Sequence, residues 1–286
     1  MVTYFQAIVL GLLQGISELF PISSLGHSVI FPKLVGWNLN QGEPFFLTFL
    51  VATHLATAIV LFLFFLKDWV KIISGLWRSL KNREIKADDH YAKLGWLLVV
   101  GTIPAGILGL LLQDQLRMLF ASAKFAAFFL IVNGLMLYGG EILRKRAPAD
   151  QSSAKLDQRL AKLSWLQAFK VGISQVISLI PGMSRSGSTM VGSLMIGLSH
   201  EDAARFSFLL ATPIIGAAAV LKLPDFVMPE NHWLIGPAFV GAICSGVTAY
   251  FSIKFLTKYF HTNKLTLFAI YCVLAGIISS VIFYFR

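Results

Sequence analysis

Charge is scarce in this sequence of 286 residues: Asp, Glu, Lys and Arg together supply 13%, where an ordinary soluble domain carries about a quarter. With 56% hydrophobic residues and a mean hydropathy of +0.73, there is too little polar surface to coat a water-soluble particle, so a bilayer is expected as solvent. Cysteine is nearly absent. The two present, Cys244 and Cys272, lie inside apolar blocks, which excludes a disulfide scaffold and suits small packing residues better than ligands. A Walker-type phosphate loop and a metal-spaced Cys/His cluster are also missing, so nucleotide hydrolysis and zinc chemistry lack support. A basic segment ahead of the first apolar stretch is missing too. Met1 to Leu13 runs straight into Gln14 and Glu18, and is expected to belong to the mature fold rather than to a cleaved signal.

Apolar length is what the chain has in abundance. Nearly charge-free stretches approaching the roughly 20 residues of a membrane crossing predict six spans, at 45–66, 94–112, 124–143, 203–222, 233–253 and 265–285. Two further apolar regions, 1–36 and 166–200, are split near the middle by Pro, Gly, Ser and ionisable residues. Neither half of either region can cross alone, so both read as re-entrant helix-loop-helix hairpins, whose irregular tips must be lined by protein or by a watery cavity.

The two hairpins resemble each other. A shift of 161 residues pairs Gln14, Ile16, Ser17, Ser23 and Gly26 with Gln175, Ile177, Ser178, Ser184 and Gly187, and Phe49 to Thr53 matches Phe208 to Thr212 at a shift of 159. An internal duplication follows: a first repeat over 1–143, a linker over 144–165 and a second repeat over 166–286, each repeat a hairpin plus three spans, together one membrane domain. The net charge of +10 sits mostly in loops beside spans, which suits anionic lipid headgroups and topology and disfavours nucleic acid. Seven Lys/Arg in 67–93, seven in 144–170 and three in 254–264 predict these loops to be cytoplasmic, with 113–123, 223–232 and both termini outside. The hairpins then enter from opposite faces. The expected fold is an all-α polytopic membrane protein with an inverted-topology repeat and a polar site near the bilayer midplane. The loops 144–170 and 78–93 read as solvated, without chemistry.

The polar residues at membrane depth carry the functional signal, because desolvating them must be offset by a partner, a metal or water. Gln14 and Glu18 share one helical face, and Pro21 ends that helix, leaving Ser23, Ser24, Gly26 and His27 in the tip. The second tip, Pro181 to Thr189, gathers Gly182, Ser184, Ser186, Gly187, Ser188 and Thr189 around Arg185. A guanidinium, glycines that bare backbone N–H groups and a following helix N-terminus make an anion cradle. If the tips meet, Glu18, Ser24 and His27 face Arg185, Ser184 and Thr189, a set suited to phosphoryl transfer, with His27 as proton carrier. Glu18, helped by Gln14, is the candidate ligand for a divalent cation, Mg²⁺ or Ca²⁺, though a single carboxylate leaves the shell to be completed by substrate oxygens and water. His54, inside the span 45–66, reads first as a hydrogen-bonded structural histidine and second as a cavity residue. His90, His200, His232 and His261 fall in loops or at span ends, where solvated roles are expected.

At these residues the sequence resembles the undecaprenyl-diphosphate phosphatase family, also called the bacitracin-resistance family, over essentially the whole chain. Gln14 and Glu18 meet its first pattern, Pro21 to His27 its Pro-x-Ser-Ser-x-Gly-His segment, and Pro181 to Gly187 its Pro-Gly-x-Ser-Arg-Ser-Gly segment. The resemblance implies removal of the terminal phosphate of undecaprenyl diphosphate at a divalent-cation site, in the bacterial inner membrane and reached from its outer face. It implies catalytic or phosphate-binding roles for Glu18, Ser24, His27 and Arg185; a homodimer is one compatible assembly. Gln14 stands where many members carry Glu, and Leu25 where Thr is common. Acid-phosphatase-type lipid phosphatases place a histidine five residues beyond their Ser-Arg pair; here that position is Val191, so a phosphohistidine route lacks its nucleophile. Ser24 and a water activated near Glu18 both stay open as nucleophile. The rival from another class is a transporter or flippase of the lipid carrier, since inverted repeats with broken helices also serve transport.

Overall fold

In a computed structural model the chain is all-helical. The structure describes residues 2–39, 43–112, 115, 122–144, 156–227 and 232–285, and contains no strand among them. The helices are α1 (Tyr4–Ser17), α2 (Ser24–Leu34), α3 (Pro44–Phe64), α4 (Leu66–Asn82), α5 (His90–Leu111), α6 (Ala123–Arg144), α7 (Leu156–Ala161), α8 (Trp165–Val176), α9 (Arg185–Met195), α10 (His200–Val227), α11 (His232–Tyr259) and α12 (Thr266–Phe285). Six of them, α3, α5, α6, α10, α11 and α12, are long and apolar enough to cross a membrane, matching the six predicted spans. Large exposed apolar side chains such as Ile103, Leu135 and Phe239 coat these helices, as lipid contact requires.

Local sequence sets the helix starts. Thr3 and Gln6 form a capping box at α1, and Ser164 and Gln167 form another at α8, two residues of one type of cap in each half. Asp89 caps α5 by accepting the Ala92 N–H at 3.0 Å, so that helix begins four residues before the predicted span. The loop expected at 67–93 is mostly α4. Its charged residues hide three faces: Trp69, Ile72, Gly75 and Ser79 are buried, Val70, Ile73, Trp77 and Leu80 form an exposed apolar stripe, and Lys67, Lys71, Arg78 and Lys81 lie on the third flank. The linker 144–165 likewise contains a helix, α7. Its residues 145–155 fall outside the described residues, as do most of the loop 113–123 and residues 228–231 of the loop 223–232.

Packing interleaves the two halves. α1 lies along α11, α8 along α5, α6 along α12 and α3 along α10. Glycines permit the closest of these approaches: a Cβ on Gly11 would run into the Gly241 carbonyl, and one on Gly172 would sit 2.5 Å from the Gly101 carbonyl oxygen. At one end of the bundle the last turns of α6 and α11 and the first turns of α4, α10 and α12 meet in a charged cluster. There Arg205 bridges Asp68 at 2.9 Å and Asp157 at 2.7 Å, and Arg159 holds Asp202 at 3.0 Å. His200, expected to be solvated, instead bonds Glu141 at 2.6 Å, and the same carboxylate accepts the Leu265 N–H at 2.8 Å.

Candidate active site

Two short helices end against each other in the middle of this bundle. Pro21 follows α1, and the turn 18–23 reverses the chain into α2. Ser23 takes a positive φ of 71°, which strains a non-glycine residue, and its hydroxyl accepts the Gly26 N–H at 3.1 Å to start α2. In the second tip Gly182 has φ 100°, and a Cβ there would strike the Ala126 carbonyl, so only glycine serves. Ser184 then caps α9 by accepting the Gly187 N–H at 3.1 Å.

The tips are fastened to one another. Asn133, fully buried on α6, donates to the Pro21 carbonyl at 3.0 Å and accepts the Ser184 N–H at 3.0 Å, so one amide holds both turns. Ser186 donates to the Phe20 carbonyl at 3.0 Å, and a Cβ on Gly26 would touch Gly182 Cα at 3.0 Å.

Glu18 is the centre of the site. Its Oε1 accepts from Arg185 at 2.9 Å; its Oε2 accepts from Ser24 Oγ at 2.5 Å and Gln14 Nε2 at 3.2 Å, and meets His54 Nε2 at 3.2 Å. Arg185 also donates to the Ser207 carbonyl at 3.1 Å, so its fork is anchored at two points. A cavity of about 300 Å³ opens beside this group. Its polar end comprises Glu18, Ser24, His54, Ser178, Ser184 and Arg185, and its walls are apolar, from Leu47 and Leu50 on α3 and Ile214 and Ala218 on α10. Because α2 starts at Ser24 and α9 at Arg185, both helices turn their N-terminal ends towards the cavity, and the dipole and free N–H groups of each favour an anion there.

The other expected residues divide by position. Thr189 bonds Ser207 at 2.5 Å and Ser188 faces Met136 Sδ at 3.8 Å, so both pack behind the cavity wall, with Ser186 and Gly187 tying the tips together. Ser23 and Gly26 shape the first turn. His27 points away from Glu18: its Nδ1 meets the Ser23 carbonyl at 2.7 Å, its Nε2 meets the Tyr271 hydroxyl at 2.8 Å, and the two rings stack at 5.7 Å. His54, read first as structural, lines the cavity. Asn133 was not singled out in the sequence, although a lone amide in an apolar span is itself a signal. Among the described residues no group of three His, Cys, Asp or Glu side chains could hold a metal. The oxygen donors near Glu18 are another matter: Gln14 Oε1 is buried and unpartnered among the described residues, one turn from the only carboxylate of the cavity. That pair suits a hard, oxygen-seeking cation as a partial shell. A second cavity, about 420 Å³, lies around the ion pair of Arg78 and Asp89 at 2.9 Å, with Glu84, Lys86 and Asp88 also at its edge.

Known proteins resemble this sequence over nearly its whole length. A family model described as bacitracin resistance protein BacA matches residues 7–278. The undecaprenyl-diphosphatase of Mycolicibacterium paratuberculosis is 46% identical over 292 residues, covering 96% of this chain and 95% of that protein. The undecaprenyl-diphosphatase of Gluconacetobacter diazotrophicus is 44% identical over 283 residues (97% and 96%), and undecaprenyl-diphosphatase 2 of Chromobacterium violaceum 43% over 280 residues (96% of each). With both tips falling inside the matched range and six helices able to cross a bilayer, the chain is a multi-pass membrane protein of the bacitracin resistance protein BacA family.

Proposed function

We propose that this protein hydrolyses undecaprenyl diphosphate to undecaprenyl phosphate and inorganic phosphate, recycling a lipid carrier of cell-wall synthesis. The observation that carries the reading is the Glu18 carboxylate joined to both Ser24 and Arg185 at the polar end of an apolar-walled cavity. A diphosphate headgroup fits the polar end, and the first isoprene units of its tail fit the walls.

The chemistry follows from those contacts. Arg185 and the N-termini of α2 and α9 hold the terminal phosphate and stabilise charge on its oxygens. An arriving diphosphate competes with Glu18 for the guanidinium, and each donor that turns to phosphate leaves Glu18 a stronger base. Ser24 Oγ then attacks the terminal phosphorus as its proton passes to Glu18, the bond to the bridging oxygen breaks, and prenyl phosphate departs. Water releases phosphate from Ser24 in the second half of the reaction. Glu18 and Gln14 would hold a Mg²⁺ or Ca²⁺ ion together with substrate oxygens and water, and such an ion withdraws charge from the diphosphate when bound.

The reading extends to topology. Each half is a half-spanning hairpin plus three spans, over 1–143 and 166–286, in opposite orientations in the bacterial inner membrane, with the cavity reached from the outer face. The element boundaries support it: α2 and α9 begin at Ser24 and Arg185, an offset of 161, and each is 11 residues long. Gly11 and Gly15 of α1 meet Gly241 and Ser245 of α11, while Gly172 of α8 meets Gly101 of α5, so each short helix packs against the middle of a long helix from the other half. A carrier-transporting role has less support, because the relatives are named for the hydrolysis and the tips are cross-tied.

Purified protein in detergent, given a polyprenyl diphosphate with Mg²⁺ or Ca²⁺, should release inorganic phosphate, and EDTA should suppress the release. Absence of release by the wild type would overturn the enzymatic reading. Cysteine labelling should find 67–93 and 254–264 on the cytoplasmic side and both termini outside; termini on the inside would overturn the topology.

A further inference from the structure

α4 begins one residue after α3 ends, with Phe65 as the corner, so it starts where a crossing helix leaves the bilayer. It then lies across the entry of the next crossing helix. Lys71 and Arg78, two turns apart on α4, reach Tyr91 at 3.2 Å and Asp89 at 3.0 Å, both at the start of α5. A Cβ on Gly95 would touch Ile72 and Leu76 together, and Ser79 accepts the Trp96 Nε1–H at 2.9 Å. From Lys71 to Ser79 all these contacts fall within residues 89–96, with no register running along the two helices. α4 therefore crosses the first turns of α5 and stays level with the membrane boundary.

The face that α5 leaves open is divided lengthwise. Val70, Ile73, Trp77 and Leu80 recur at helical spacing and are 52–70% exposed. Along one edge of that stripe stand Lys67, Lys71 and Lys81, all exposed. Arg78 shares the edge but is bonded to Asp89 and Ser74. Among the described residues Lys67 and Lys81 make no hydrogen bond or ion pair, and Lys71 reaches the Tyr91 side chain. Between Leu66 and Arg83 the chain has five Lys/Arg against one acid, Asp68, which turns inward to Arg205 at 2.9 Å. The outer face is thus apolar along one line and positive along the next.

We propose that α4 is an interfacial helix whose outer face binds anionic phospholipid. Val70, Ile73, Trp77 and Leu80 enter the upper acyl chains, and Lys67, Lys71 and Lys81 hold the phosphate headgroups above them. An amphipathic helix lying in the boundary plane buries its apolar line in this way, with tryptophan favoured at headgroup level. Each lysine lays its methylene stem along the apolar line and extends its ammonium to the anionic layer, where a basic residue gains from the surface potential.

Charge and position single out this occupant. Water would leave four large apolar side chains in a row unburied. A second copy seated face to face would bring two rows of lysines together. A monolayer, by contrast, is already at that level, because α3 and α5 cross the bilayer on either side of α4.

The test uses the full-length protein in phosphatidylcholine vesicles and reads Trp77 emission as the difference between wild type and Trp77→Phe. Bromines placed high on the acyl chains should quench that emission, and bromines at the chain ends should quench it much less. At equal mole fraction, brominated phosphatidylglycerol should be preferred to brominated phosphatidylcholine by about threefold or more. Salt at about 1 M, where the Debye length is about 3 Å, should narrow the preference. These comparisons use the unaltered charges. In the triple variant Lys67→Gln, Lys71→Gln, Lys81→Gln the preference should fall to within about 1.5-fold, with the depth of Trp77 unchanged. None of these readouts passes through hydrolysis. A Trp77 that bromine reaches at no depth, equal quenching by both headgroups in wild type, or a preference that outlives the three substitutions would each overturn the proposal. An unquenched Trp77 together with crosslinking of two copies through Ser74→Cys would hand the face to a second copy instead.

Discussion

Ser23 and Ser184 make the same hydrogen bond 161 residues apart: each hydroxyl accepts the N–H of the glycine three residues on, at 3.1 Å in both cases. The residue after each serine opens a helix into the cavity, and there the halves part company. In the first it is Ser24, a hydroxyl held by Glu18; in the second it is Arg185, a guanidinium held by the same Glu18. One backbone device thus delivers a hydroxyl and a guanidinium to one carboxylate, the pair that the proposed reaction uses as nucleophile and anion holder.

Arg185→Lys should abolish most activity although charge is kept. A lysine lacks the fork that reaches Glu18 and the Ser207 carbonyl together, so kcat in the phosphate-release assay should fall about 10²–10³-fold, with the protein still eluting as a folded species.

Rapid quenching with substrate labelled in its terminal phosphate should trap label on Ser24, and Ser24→Ala should lose both the label and turnover. Turnover of Ser24→Ala within about tenfold of wild type would instead assign the attack to water.

Asn133→Leu should loosen both tips at once. With the Pro21 carbonyl and the Ser184 N–H left unpaired in the interior, the thermal midpoint in detergent should drop by an amount corresponding to about 2–4 kcal/mol, and kcat should fall at least about tenfold.

Gly11→Ala tests the helix seam remote from the chemistry. The added methyl meets the Gly241 backbone, which cannot swing aside, so unfolding should require about 1–3 kcal/mol less while KM stays unchanged.

Asp68 and Arg205 differ in what they contribute. Burial, followed by the Asp157 charge, outweighs Arg205 and holds the Asp68 carboxyl above its ordinary range. A carboxyl raised in the folded state binds more protons folded than unfolded, so it detracts from stability as pH climbs past the unfolded value. The 2.9 Å pair alone suggests the opposite; the burial effect is the larger, and Asp68→Asn should therefore be neutral or slightly stabilising at pH 7. Arg205→Ala leaves Asp68 and Asp157 side by side and should cost about 2–3 kcal/mol, read from thermal unfolding.

The six spans and the two broken segments were legible because membrane crossing is written in length and apolarity, which need no tertiary information. The meeting of the two tips was legible for a related reason, since polar groups at that depth need partners; that Glu18 and Arg185 would touch directly, at 2.9 Å, was not. α4 escaped notice because Lys67, Lys71, Arg78 and Lys81 dominate its composition, while its buried face, Trp69, Ile72, Gly75 and Ser79, appears only once α5 is packed against it. The contact of His54 with Glu18 was not legible, because the two lie 36 residues apart and meet only after α1 and α3 are assembled. The direction of the His27 ring, towards the Ser23 carbonyl and the Tyr271 hydroxyl, was not legible either, because a motif fixes a neighbourhood and not where a ring points.

The seam between the tips makes each turn the mould of the other. Asn133 holds a backbone atom of both turns, and Ser186 of the second holds Phe20 of the first, so neither turn keeps its backbone partners without the other. An isolated stretch carrying one tip would be an incomplete mould, with buried carbonyl and N–H groups left open.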